Sequence, residues 1–141
     1  MFDFWVSSRM EFSIEGKRAC FDIVKTIARL AEKANQGGIQ TLKSELEATD
    51  NKFFKAAIRL LVDGITPEDT RKILQNYIIV GNYRGRALFG RILAMEGIIA
   101  IQRGFSPKFI LEELLASYFG EDFLPEYNEF LRGIYESAGK E

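Results

Sequence analysis

The segment Gly85-Arg86-Ala87-Leu88-Phe89-Gly90-Arg91-Ile92 sets two glycines at the spacing of a phosphate-binding loop, in which backbone N–H groups cradle a phosphate. The likeness stops at the reactive positions. Arg91 stands where such a loop needs the lysine that reaches the phosphates, and Ile92 where it needs the magnesium-binding hydroxyl. No Val/Ile-rich strand precedes the segment. The same stretch offers another chemistry, because Arg84, Arg86 and Arg91 lie beside Tyr83 and Phe89. Cations interleaved with stacking rings are the makings of a nucleic-acid or phospholigand surface. The competing reading is an exposed helix face, or a contact with an acidic segment of the same chain, since the whole is not basic. Neighbouring carboxylates at Glu45/Glu47, Glu68/Asp69, Glu112/Glu113 and Glu121/Asp122 are the types that acid–base or metal chemistry uses. They fall where helix caps and solvated faces are expected, and adjacent ones point to different sides of a helix. The chain has no histidine, which removes the commonest general base, metal ligand and pH switch together. Its one cysteine, Cys20, shares an apolar stripe with Phe21, Val24 and Ile27, reads as a core thiol, and points to a reducing compartment. No catalytic residue, metal ligand or cofactor is expected, and the chain reads as non-enzymatic.

The elements that must position these residues are helices. Ile58, Gly64, Thr66, Pro67 and Leu74 recur forty positions later as Ile98, Gly104, Ser106, Pro107 and Leu114. Glycine tolerates the left-handed conformation that ends a helix, Thr or Ser accepts a bond from an orphan N–H, and Pro has no N–H to leave unpaired. The unit is therefore helix, G-x-[TS]-P corner, helix, used at Asp63 to Pro67 and again at Arg103 to Pro107. Helical spacing of apolar residues continues on either side. Cys20, Val24, Ile27, Ala28, Ala31 and Ala34 share a face of a first helix that reaches the Gly37-Gly38 pair, where a break or bend is expected. Ile39, Leu42 and Leu46 extend the seam, and Asp50 is the expected N-cap of a helix over Phe53 to Val62. Beyond the corners the stripes are Thr70, Ile73, Leu74, Tyr77 and Ile78, then Ile110, Leu111, Leu114, Leu115 and Tyr118. A last helix starts near Asp122 and carries Phe123, Tyr127, Phe130, Leu131 and Ile134. Regular β alternation is absent. The expected fold is all-α, one compact domain over 1–141 of about six to seven helices.

A net charge of −1 conceals two opposed regions. Lys52 to Lys108 holds ten Lys/Arg against four Asp/Glu, and Phe109 to Glu141 holds two against eight. Such a chain satisfies itself by folding the acidic end onto the basic middle, or by pairing between copies. The longest apolar run, Ile92 to Ile101, includes Glu96 and falls well short of the roughly 20 residues that a bilayer demands, so no transmembrane segment is expected. Residues 1–12 form an aromatic N-terminal arm. Without a basic n-region and a long apolar stretch it does not read as a signal peptide, and Phe2, Phe4, Trp5 and Val6 are expected to dock on the core as a strand-like arm, the alternatives being contact with a lipid interface or with a partner.

Two stretches carry a resemblance. Arg29-Leu30-Ala31-Glu32-Lys33-Ala34, Gly38-Ile39-Gln40-Thr41-Leu42, and Phe53 to Val62 followed by Asp63-Gly64 look like the cytoplasmic loop of the flagellar stator subunit family, MotA, over residues 17–80. Met95-Glu96-Gly97-Ile98-Ile99-Ala100-Ile101-Gln102-Arg103-Gly104-Phe105-Ser106-Pro107, with Leu114 and Leu115, is similar to the family's C-terminal cytoplasmic tail, over 84–119. Residues 120–141 remain as an acidic C-terminal helix. The family carries channel-forming helices before the first stretch and between the two, whereas only Ile79 to Phe89 fills the gap here, so ion conduction is not expected. Its rotor contact uses a basic residue shortly before the loop glycine and an acidic one after it, and the matching positions here are Asn35 and Lys43. The resemblance implies a cytoplasmic, channel-less relative, peripheral at the inner membrane, that binds a motor protein or a second copy of itself and not nucleic acid. The surface expected to do so comprises Asn35, Gly37, Gly38, Lys43, Arg84, Arg86 and Arg91.

Overall fold

The computed structural model describes residues 2–9 and 12–139; Met1, Met10, Glu11, Lys140 and Glu141, which fall in the N-terminal arm and the acidic end, lie outside the described residues. The fold is all-α. Helices α1 (Phe2–Ser7), α2 (Ile14–Ala19) and α3 (Phe21–Gly37) lead into a 3-10 turn over Ile39–Ser44 and a short α4 (Glu45–Ala48). Then come α5 (Lys52–Val62), α6 (Pro67–Gly81) and α7 (Gly85–Gln102). A last pair follows, the rod made of α8 (Pro107–Phe109), a π-helical turn (Ile110–Leu114) and α9 (Leu115–Phe119), and α10 (Leu124–Gly139) beyond a 3-10 turn at Glu121–Phe123.

The two corners have one geometry. At the first, Gly64 takes φ +75°, Ile65 N–H donates to Leu60 O at 3.1 Å and Gly64 N–H to Leu61 O at 3.2 Å. At the second, Gly104 takes φ +78°, Phe105 N–H donates to Ala100 O at 3.1 Å and Gly104 N–H to Ile101 O at 3.0 Å. Both are Schellman ends, the crossed pair of bonds that closes a helix on a left-handed residue. Each next helix opens alike: Thr66 Oγ1 accepts from Asp69 N–H and Ser106 Oγ from Phe109 N–H, both at 3.1 Å, with Pro67 and Pro107 in the first turn. Pairing equal corners folds α6 back along α5, and the α8–α9 rod back along α7. The two units are tied through Gln102, whose Nε2 donates to Ile65 O at 2.8 Å and Thr70 Oγ1 at 3.0 Å.

Helix α7 is the axis of the molecule, buried on nearly every side from Leu88 to Ile101 apart from Arg91 and Glu96. A helix apolar all round must be covered all round. Helix α3 runs parallel to it because glycines replace side chains along the shared seam: Gly90 faces Cys20 and Ile23, and Gly97 faces Ile27. Helix α5 also runs parallel to α7, with Phe53 near Arg91 at one end and Ile65 at Gln102 at the other. Helix α10 closes the N-terminal side. Phe130 stacks on Phe21 with ring centroids 4.3 Å apart, and Phe119, Phe123 and Tyr127 complete an aromatic cluster around the same ring.

Several local expectations shift. The expected first helix is α3, opened by Cys20 as its N-cap, with a short α2 before it, and the expected break falls at Gly38, φ +89°. Asn51 rather than Asp50 caps α5, its side chain accepting from Phe54 N–H at 3.0 Å. Tyr77 leaves its stripe and is exposed, because the buried line of α6 advances by fours through Thr70, Leu74 and Ile78. The N-terminal arm docks as a helix, not a strand: Val6 is buried, Phe2 and Trp5 pack beneath, and Phe4 stands 82% exposed. Among the described residues no carboxylate of the acidic end forms an ion pair with the basic middle. The acidic end's described ion pair to another element joins Glu126 to Arg18 of α2, at 2.5 Å.

Candidate interaction surface

The expected surface residues divide between two ends of the parallel helices. Asn35, Gly37, Gly38 and Lys43 are all exposed, at the end of α3 and in the turn that follows. Arg84 and Arg86 are exposed at the start of α7, where the Cys20 thiol donates to Arg86 O at 3.4 Å. From Cys20 to Asn35 the axis of α3 rises about 22 Å, at ~1.5 Å per residue. One small partner site does not include both ends.

Each end has its own physical character. Along α3, Glu45 accepts from Arg29 and from Lys33, the latter at 3.2 Å, and folds α4 back against α3. The bond to Arg29, helped by Lys33, holds the Glu45 carboxyl below its ordinary pKa. Gln40 Nε2 donates to Val62 O at 3.0 Å, fastening the turn to the end of α5. The Gly37-Gly38 corner is therefore braced from two sides, and its polar residues face water from a fixed backbone.

At the other end the arginines part company. Arg91 is half-buried, its guanidinium 3.5 Å from the centre of the Tyr83 ring and 5.9 Å from that of Phe53, with Nη1 donating to Ala87 O at 3.0 Å. Phe89 is buried in the core. The rings that made this stretch look like a nucleic-acid surface are thus used inside the fold, and only Arg84 and Arg86 remain exposed. The phosphate-loop spacing comes to nothing as well, because Gly85 to Ile92 is helical. Among the described residues no ion pair joins Arg84, Arg86 or Arg91 to the acidic segment.

The carboxylate pairs disperse. Glu45 is tied to α3, Glu68 and Asp69 lie in the first turn of α6, and Glu112 accepts from Tyr135 Oη at 2.9 Å. Glu121 and Asp122 are exposed in the 3-10 turn before α10. Among the described residues no three acidic or thiol side chains gather as metal ligands would. The Cys20 thiol is buried, which raises its pKa to about 11 and keeps it protonated at neutral pH.

What sequence reasoning missed is a cleft of about 1170 Å³ between α3, the start of the α8–α9 rod and the end of α10. Asn35 and Gln36 stand in its wall. Lys25, Glu32 and Lys108 give it charge of both signs, and Leu111 and Ile134 give it an apolar lining. Phe105 and Phe109, edge to face with centroids 5.1 Å apart, are exposed at the second corner beside it.

A second polar cluster lies beneath α1. Glu96 receives Arg71 Nη2 and Tyr118 Oη, each at 2.6 Å, and this brings α6 and α9 onto α7. Burial and the Glu96 bond raise the Tyr118 pKa, so this hydroxyl remains a donor.

No helix among the described residues is long and apolar enough to cross a membrane. Against this background, 52 residues, 37% of the chain, are 44% identical to Motility protein A of Borreliella burgdorferi, and 55 residues, 39%, are 34% identical to Motility protein A of Treponema phagedenis. These findings support a MotA-like relationship over part of the chain. The chain spans about a fifth of the length of these curated relatives, 20% and 21%. No family model matches the chain, and no solved structure matches it.

Proposed function

We propose that the chain is a non-enzymatic interaction module, related to the cytoplasmic part of a flagellar stator subunit, that docks a protein of the flagellar motor against the end of α3 and the adjoining cleft. One coincidence carries this reading. Asn35 and Gln36, which begin the stretch that resembles the rotor-facing part of the stator loop, stand in the wall of the cleft of about 1170 Å³. The surface there has what a specific and reversible partner needs: a braced backbone, charges of both signs, and exposed aromatic area at its rim. With Asn35 and Lys43 in place of the family's charge pair, the electrostatic part of recognition passes to Lys25, Glu32 and Lys108 inside the cleft. The module acts at the inner face of the membrane, held there by its partner.

The test is photo-crosslinking in cells of the native host, with a benzophenone side chain at position 35 or 43, and at exposed position 80 near the opposite end as control. Adducts to flagellar motor proteins from 35 and 43 but not from 80, weakened by Lys108→Glu, are expected. Absence of such adducts, or equal yield from position 80, refutes the assignment.

A further inference from the structure

The beginnings of α3, α5 and α7 enclose an indentation of about 280 Å³ that the proposed docking surface does not use. We propose that it binds a compact oxyanion, the group shared by phosphate and carboxylate, between Arg86 and Arg91. This assignment stands independently of the motor reading.

Both arginines line the indentation. Arg86 meets no carboxylate among the described residues, and its side chain is exposed. The Nε of Arg91 is closed off from solvent and meets no acceptor, although Nη1 is satisfied and the ring faces of Tyr83 and Phe53 hold the guanidinium in place. Arg91 Nη2 makes no hydrogen bond among the described residues and is not closed off from solvent, so it is the donor of this group that an incoming oxygen can reach. Planar guanidinium groups match the two oxygens of a carboxylate or phosphate in a way that an ammonium does not. A third donor is at hand. The oxygen of the Asn51 side chain is committed to capping Phe54, which leaves its NH₂ free, and Asn51 is part of the same wall.

The acidic group of the wall does not cancel this character. Asp22 Oδ1 accepts from Ile23 N–H at 2.9 Å and so faces the start of its own helix. With two arginines, one aspartate and a protonated Cys20, the ionisable lining sums to a single positive charge. The three parallel helices add partial positive charge at the same place, since their first-turn N–H groups lack intrahelical partners. The size suits one compact anion and not a polymer, which agrees with the loss of stacking rings from this surface.

Inorganic phosphate and acetate, each titrated into the uniformly ¹⁵N-labelled chain at constant ionic strength, test the proposal and separate the two sources of the oxyanion. Saturable shifts are expected at the Arg91 Nε–H and the Asn51 side-chain amide, and the tighter of the two titrants identifies the preferred group. Arg86→Gln, a change at an exposed side chain, is expected to weaken binding at least tenfold while the melting temperature stays that of the native chain. Arg91→Lys, with its amine reaching the cavity but no fork, is expected to weaken it as well. Shifts that grow linearly without saturation, shifts scattered over the surface, or an Arg86→Gln chain that binds like the native one would overturn the proposal.

Discussion

Replacing Gly97 by alanine tests the central packing of the fold. A methyl group built there meets Ile27 Cδ1 at 2.7 Å, Cγ1 at 2.8 Å and Cγ2 at 2.9 Å, and Ile27 is fully buried, so the clash is met by moving α3 away from α7 or by an off-rotamer isoleucine. Overpacking of this kind costs ~1–3 kcal/mol. Alanine in a helix interior returns about 0.5–1 kcal/mol relative to glycine. The net destabilisation expected is up to ~2.5 kcal/mol, with a fall in Tm of about 2–4 °C for each kcal/mol in a chain of this size. Gly90 is the internal control, seven residues away on the same seam. A methyl group there meets Ile23 Cγ1 at 3.5 Å and Cys20 Sγ at 3.6 Å, ordinary contact distances. Gly90→Ala is therefore expected to be neutral or to stabilise by up to ~1 kcal/mol. Urea unfolding of the two variants beside the native chain measures both, and combining Gly97→Ala with Ile27→Ala should cost less than the two single changes added together. Equal stability of Gly97→Ala and Gly90→Ala would refute a close approach of α3 to α7 at Gly97.

Other consequences follow from single contacts. Thr66→Ala and Ser106→Ala each remove a side-chain cap from an equivalent corner, and each is expected to cost about 1 kcal/mol in urea unfolding, the two adding because the sites are separate. Tyr127 is buried and its hydroxyl donates to Leu111 O at 2.5 Å within the π-turn, so Tyr127→Phe removes a bond between α10 and that turn and is expected to cost ~0.5–1.5 kcal/mol by the same measurement. Glu45 has its pKa lowered by Arg29 and Lys33, so the stability it contributes is present above its unfolded value, near pH 4, and is lost as pH falls through its lower folded value. Glu45→Gln should therefore be less stable than the native chain at pH 7, with the gap closing in acid; a gap independent of pH would show that the pair contributes nothing.

The corners were legible because their residues state a backbone requirement each: a left-handed glycine, a hydroxyl acceptor, a proline without an N–H. Where two residue types meet the same requirement the reading slips by one, as with Asp50 and Asn51, both of which are good caps. Buried faces were legible wherever a stripe held four-residue spacing, but Tyr77, on the flank of that spacing, could be placed only by seeing what covers α6. The π-turn at Ile110–Leu114 has no sequence signature of its own, and it became visible only with Tyr127 placed against Leu111 O. The site was less legible than the fold. Helix direction is a tertiary property, so nothing in the chain announced that Lys43 and Arg86 lie at opposite ends of a parallel pair. Nor could spacing reveal that Arg91 turns inward over Tyr83 while Arg86 stays out.

The stacked rings of Phe21 and Phe130 have a kinetic meaning. The hairpins α5–α6 and α7 with its returning rod join residues close along the chain, while the Phe21 cluster and the Arg18–Glu126 pair, 108 positions apart, join residues across most of it. Closing so long a loop is entropically unfavourable until the hairpins have shortened the effective distance. The hairpins are then the nucleus, and the union of α3 with α10 forms late, on the native side of the folding barrier. Phe21→Ala is expected to accelerate unfolding with little change in the refolding rate, whereas Thr66→Ala slows refolding, a division that stopped-flow chevrons resolve. It follows that the aromatic clasp governs how long each folded molecule lasts, and the repeated corners govern how quickly it is made.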